Sequence, residues 1–166
     1  MKRTSGKNWK STWKVCKLQV MKIYLGSDHG GWELKQELSV YLIENFPDAE
    51  IFDLGCDSEE SIDYPQFGAT VAAKVVKEEN AFGIVICGSG IGIGMAANKI
   101  PGARCVTANT VELATLGRQH NGAQILSVGG RTQFIDPWQD IVKAFLSTEV
   151  DMAERHVKRR TQLDNL

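Results

Sequence analysis

No Cys-x-x-Cys pair and no His-x-x-x-His companion occurs in these 166 residues, although four cysteines are present, Cys16, Cys56, Cys87 and Cys105. That scatter argues against a zinc site, and the expectation is a protein without a metal. No apolar run reaches membrane-spanning length, and the N-terminus lacks the continuous apolar stretch of a secretory signal. Reduced thiols and cytoplasmic residence are therefore expected. Acidic residues are missing from positions 1–20, which carry Lys2, Arg3, Lys7, Lys10, Lys14 and Lys17; the remainder keeps 13 basic against 20 acidic residues. An acidic body is not a general nucleic-acid binder, because neutralising phosphate needs basic surface. The leader, 1–20, is expected to be a dispensable extension ahead of one domain, 21–166, with Met21 just before the first strand pattern. A transit leader would want more arginine, and a helix presenting Trp9, Trp13 and Leu18 to a partner is the third reading.

The usual glycine fingerprints are missing too. Cys87-Gly88-Ser89-Gly90-Ile91-Gly92-Ile93-Gly94 is not Gly-x-x-x-x-Gly-Lys-Ser/Thr, and its glycines recur every second residue, unlike Gly-x-Gly-x-x-Gly. Gly-x-Ser-x-Gly fails as well, which disfavours a serine hydrolase. What remains is a turn between an apolar run, Phe82–Ile86, and a helix-compatible run, Met95–Lys99. The N–H groups of such a turn make a seat for negative charge, and a cysteine at a helix N-terminus has more thiolate character.

From Met21 the pattern alternates. Lys22–Leu25, Glu50–Leu54, Phe82–Ile86, Ala103–Thr107 and Gln124–Val128 read as strands. Between and after them, Trp32–Phe46 carries Leu34, Leu38 and Leu42 at helical spacing, and a second helix follows Tyr64-Pro65 through Phe67, Val71, Val75 and Val76. Val111–Gln119 and Pro137–Leu146 are helical, and Asp151–Leu166 reads as a basic helix with little apolar face. Five strands alternating with helices predict a three-layer, Rossmann-like α/β fold: a five-stranded parallel sheet with helices on both faces. Ligands bind beyond the carboxyl ends of such strands.

The loops at those ends bring Asp28-His29, Cys87 with Ser89, Asn109 and Arg131. His120 has a side chain suited to proton transfer near neutral pH, or serves the dipole of its own helix. It ends a helix that faces the same edge only if it comes from a neighbouring molecule or a folded-back loop. Asp28 is a candidate site residue or a helix cap, and His29 is a contact or a structural residue. Cys87 alone is more often a packed small hydrophobe than a base. Arg155 and Arg159, four apart, share a helix face and read as phosphate ligands or as a solvated face.

Gly26-Ser27-Asp28-His29-Gly30-Gly31, Asp63-Tyr64-Pro65, Cys87-Gly88-Ser89-Gly90-Ile91-Gly92, Ala97-Asn98-Lys99, Arg118-Gln119-His120-Asn121 and Gly130-Arg131 occur in that order. The ordered set resembles the B-type ribose-5-phosphate isomerases, grouped with isomerases of allose 6-phosphate and galactose 6-phosphate, over residues 21–160. The resemblance implies a pentose-phosphate-pathway enzyme interconverting D-ribose 5-phosphate and D-ribulose 5-phosphate without metal or organic cofactor. Cys87 would shuttle the proton between C2 and C1 through a cis-enediolate, and His120 would assist ring opening. Asp28 and His29 would contact the sugar and its phosphate, with Tyr64 beside them. Gly88, Ser89, Gly90, Ile91 and Gly92 would hold the developing enediolate, Ser89 replacing the threonine common in the family. Asn121, Arg131, Arg155 and Arg159 would be further substrate and phosphate ligands. One branch of the family uses a glutamate just after the turn; here that position is Ile93, which leaves the thiol as the base. The partners implied are a phosphorylated sugar and a second copy, in a homodimer or dimer of dimers with shared sites. Retention of both Cys87 and His120 favours the pentose over the galactose enzyme. An isomerase of a six-carbon sugar phosphate and a non-catalytic sugar-phosphate or nucleotide-binding module are the competing readings.

Overall fold

The computed structural model describes residues 19–166; residues 1–18, and with them most of the expected N-terminal extension, lie outside the described residues. The chain alternates as β1 (Lys22–Ser27), α1 (Trp32–Asn45), β2 (Glu50–Asp53), α2 (Pro65–Val75), β3 (Ala81–Cys87), α3 (Ile91–Ala97), β4 (Cys105–Thr107), α4 (Val111–Asn121), β5 (Ile125–Gly129), α5 (Trp138–Ser147) and α6 (Glu154–Asp164). All strand pairs are parallel, in the order β2-β1-β3-β5-β4. β3 and β5 are buried along their whole length and β1 nearly so, because helices cover both sides of the sheet centre. The strands at the two edges, β2 and β4, are half-exposed.

Side-chain alternation along the strands divides the core into two layers. Ile23, Leu25, Ile84, Ile86, Leu126 and Val128 meet Leu34, Leu38 and Leu42 of α1 and Ile141, Val142 and Phe145 of α5. Tyr24, Val85, Cys87 and Ile125 point the other way, into Val71, Ala72 and Val75 of α2 and Ile93 and Ala97 of α3. The three-layer Rossmann-like arrangement is the one the alternating pattern predicts. Several boundaries shift, and α6 begins at Glu154, later than the expected start at Asp151. α3 begins at Ile91, four residues earlier than the helix-compatible run, and β4 is limited to Cys105–Thr107.

α6 is held by polar groups instead of an apolar stripe. His156 and Arg160, one turn apart, are its buried residues. Arg160 Nη1 donates to the His120 carbonyl at 3.2 Å and to the Asp151 carbonyl at 2.9 Å, and Asp151 N–H donates to Gln119 O at 2.9 Å. The bonds to His120 O and Gln119 O satisfy carbonyls at the C-terminal turn of α4 that have no intrahelical partner. Lys35 is a further buried charge, 1% exposed, donating at 2.7 Å both to Asp53 Oδ2 and to the Cys56 carbonyl. It fixes the loop that leaves β2.

Candidate active site

The strand order reverses between β1 and β3, since the chain goes to β2 on one side of β1 and to β3 on the other. In open parallel sheets the crevice at that switch, beyond the carboxyl ends, is where ligands sit. The loops after β1 and β3, with the loop after adjacent β5, meet there with almost no space between backbones. A Cβ added to Gly30 would lie 2.9 Å from Gly88 N, and one added to Gly130 would lie 2.5 Å from Gly30 O. Gly130 N–H donates to Cys87 O at 2.8 Å and Arg131 N–H to Gly88 O at 2.9 Å, so the β3 and β5 loops run on as one extended ladder.

Cys87 is the last residue of β3 and is 4% exposed. The turn beyond it bends back because Gly90 takes a left-handed φ of 76°. Gly90 N–H then donates to Cys87 Sγ at 3.2 Å, a bond that a thiolate accepts more strongly than a thiol. The N–H groups of Gly88 and Ser89 find no partner among the described residues. Ser89 Oγ accepts from Ile91 N–H at 3.3 Å, and the side chain is exposed. Ile91 opens α3 with its side chain out, and Gly92 lies flush under the ring of Tyr64. Cys105 is a different kind of thiol: burial pushes it up to about 12, which keeps it protonated.

Around this cysteine the first loop supplies an acid and an imidazole. Asp28 is buried, and its Oδ1 accepts from Gly30 N–H at 2.9 Å and Gly31 N–H at 3.2 Å. Asp28 therefore orders its own turn; the N-cap position of α1 is Gly31, with no side-chain cap. His29 Nδ1 lies 3.2 Å from both the N–H and the carbonyl oxygen of Ile62, which ties the loop after β2 to the site. The Arg131 side chain lies over Gly88 and is exposed.

His120, Asn121, Arg155 and Arg159 are elsewhere. α4 starts after β4 and ends before β5, so His120 and Asn121 stand at the amino edge of the sheet, opposite Cys87. There the His120 ring stacks on His156, centroids 4.3 Å apart and planes 9° off parallel. Arg155 Nε donates to His156 Nε2 at 3.1 Å, and Arg159 is exposed one turn further along α6. One chain thus carries two clusters: Asp28, His29, Tyr64, Cys87, Ser89 and Arg131 at one edge, and the His120 group at the other. His156 was not singled out by its sequence; its one signal was the spacing of four to Arg160 on an otherwise polar helix. Among the described residues no group of three or more His, Cys, Asp or Glu side chains is placed to hold a metal ion, and no helix is long and apolar enough to cross a membrane.

A doubly wound parallel sheet with a cysteine, an anion-seating turn and an acid–imidazole loop at its switch point defines a small-molecule enzyme class, and comparison with known proteins narrows it. The sequence model of the Ribose/Galactose Isomerase family matches residues 23–163. The chain belongs to that family and is an isomerase. Ribose-5-phosphate isomerase B of Mycolicibacterium paratuberculosis is 43% identical over 140 residues, covering 84% of this chain and 87% of that one. The Escherichia coli protein of the same name is 39% identical over 138 residues, covering 83% and 91%. Among solved structures, ribose-5-phosphate isomerase B of Clostridium thermocellum superposes with a TM-score of 0.80 at 42% identity, over 87% of this chain and 96% of that one. The type B enzyme of Trypanosoma cruzi gives 0.83 at 34% identity, over 88% and 95%.

Proposed function

We propose that the chain is a sugar-phosphate isomerase interconverting D-ribose 5-phosphate and D-ribulose 5-phosphate through a cis-enediolate. The observation that carries this reading is Cys87 Sγ, buried at the switch point, accepting an N–H from Gly90 while the Gly88 and Ser89 N–H groups beside it have no partner among the described residues. Abstracting a proton alpha to a carbonyl needs a base and fixed donors for the oxyanion that forms. On the open-chain aldose the Cys87 thiolate takes the C2 proton. The C2–H electron pair becomes the C1=C2 bond, and the C1 carbonyl oxygen becomes the oxyanion facing the turn. The same thiol returns the proton to C1 as the O2 proton passes to O1, which leaves the ketose carbonyl at C2. Asp28, with Oδ1 engaged by its own loop, offers Oδ2 to a sugar hydroxyl. His29 and Arg131 meet the phosphate, and Tyr64 closes the crevice over Gly92.

The cyclic aldose must first open, and His120 is the group suited to protonate the ring oxygen. Its position at the far edge supports a site completed by a second copy of the chain, whose His120, Asn121, Arg155 and Arg159 would enter the crevice of the first. The test is turnover of ribose 5-phosphate and allose 6-phosphate by the wild type and Cys87→Ala. Cys87→Ala is expected to lose roughly 10²–10⁴-fold in kcat, the usual contribution of a positioned base. An unchanged rate in that variant would remove the thiol from the mechanism, and a higher kcat/KM on allose 6-phosphate would move the substrate to the six-carbon sugar.

A further inference from the structure

His120 raises a question of orientation. A proton-transferring imidazole is normally aimed by a hydrogen bond on one ring nitrogen. Among the described residues neither ring nitrogen of His120 makes a hydrogen bond, while its backbone carbonyl accepts from Arg160 Nη1 at 3.2 Å. The ring stacks on the imidazole of His156, 4.3 Å away at 9°.

His156 is itself well anchored. It is 4% exposed, on a helix tied to α4 through Arg160 Nη1 to His120 O, with the segment before it tied through Asp151 N–H to Gln119 O. Its Nε2 accepts from Arg155 Nε–H at 3.1 Å, so the proton of the neutral ring resides on Nδ1. Asp151 Oδ2 stands 3.6 Å from the same Nε2, too far for a hydrogen bond. Burial holds His156 below its usual range, and His120, Arg155 and Arg159 push the same way, with Asp151 alone opposing. A neutral ring stacks on a neighbour that gains a proton without facing it with a second positive charge.

We infer that His156 is a positioning residue for His120: its stacked ring sets the plane of the His120 imidazole and leaves both His120 nitrogens free for the sugar. This rests on the reading of His120 as the group that opens the furanose. The arrangement substitutes a ring face for the hydrogen bond that would otherwise occupy one nitrogen.

The experiment separates ring opening from enolisation. Ribulose 5-phosphate carries its phosphate on O5, so it cannot close a five-membered ring and is open-chain throughout. Exchange of its C1 hydrogen with D2O requires only the Cys87 half of the site. The full-length wild type and the His156→Ala, His156→Phe and His120→Ala variants are compared in two assays: kcat and KM on ribose 5-phosphate across pH, and C1 exchange on ribulose 5-phosphate by NMR. His156→Ala is expected to lower kcat on ribose 5-phosphate on the order of tenfold, as small misplacements of a reacting group do, with KM and C1 exchange unchanged. His156→Phe keeps a flat ring and is expected to restore most of kcat. Equal losses in both assays would reduce His156 to a folding role. A raised KM with kcat intact would assign it to Arg155. A Phe variant as slow as Ala, with one limb of the pH profile gone, would make His156 the acid itself; each of these three results overturns the inference. His120→Ala with full kcat would remove the parent reading along with it, whereas loss in His120→Ala and none in His156→Ala would sink this inference alone.

Discussion

Copies of the chain carrying Cys87→Ala and copies carrying His120→Ala are each expected to be nearly inactive, and a mixture of the two is expected to regain activity. The reason is the distance along the sheet. Cys87 is level with Gly129 and Gly83 is level with Ile125. Four strand residues at roughly 3.3 Å each put about 13 Å between those levels, and His120 precedes Ile125 by a further loop. One side chain does not span that gap, so a site that uses both groups, as proposed above, needs two copies. In a two-fold dimer each crevice takes its cysteine from one copy and its histidine from the other. A mixed dimer then holds one crevice with both substitutions and one with neither. Random exchange makes half the dimers mixed, so about a quarter of the wild-type activity should return. Ribose 5-phosphate turnover is measured before and after subunit exchange, with native mass spectrometry to count mixed dimers. Mixed dimers that form without any gain in rate would refute the shared site.

Two other expectations can be checked with purified protein. Gly90 and Gly102 both have left-handed φ, 76° and 80°, but a Cβ at Gly90 would meet Val128 C at 2.7 Å, whereas at Gly102 the nearest atom is 4.0 Å away. Gly102→Ala should cost about 1–2 kcal/mol for the backbone conformation alone and leave kcat intact. Gly90→Ala should melt lower still and lose on the order of 10²-fold in kcat, because the turn must move; equal melting losses would contradict the clash. The second concerns pH. His156 is held below its ordinary value of 6.5 by burial first and by neighbouring charge second, His120, Arg155 and Arg159 lowering it and Asp151 raising it. The unfolded chain therefore takes up a proton that the folded chain refuses. This contribution to stability is whole above 6.5 and is lost as pH falls from 6.5 through the folded value. His156→Phe should shrink the fall in Tm between about pH 7 and about pH 5, and a fall of unchanged size would rule His156 out as its source.

Much of the architecture was legible because it is written in apolar periodicity. Phe82–Ile86 and Gln124–Val128 are short apolar runs with turn signals after them, and Leu34, Leu38 and Leu42 mark one helical face. The early start of α3 was hidden because Gly92 and Gly94 are poor helix formers. Tertiary packing overrides that preference, since Gly94 lies flush against Thr107 and Ser127, whose atoms stand 3.0 to 3.1 Å from where a Cβ would be. The edge carrying Cys87 could be anticipated from strand-end loops alone. The docking of α6 could not, because Arg160 and His156 reach backbone carbonyls and another imidazole, contacts that no count of hydrophobic residues records. His120 was legible as a residue type, and its distance from Cys87 followed from the direction of its helix.

The contact among the loops after β1, β3 and β5 is main chain against main chain, with Gly30 and Gly130 leaving no side chain in between. The accuracy of the crevice is therefore stored in atoms that are missing. Selection has no graded series of side chains with which to adjust such a joint. At these positions sequence drift meets a threshold, and divergence of specificity within the fold is directed outward, to the residues that ring the crevice.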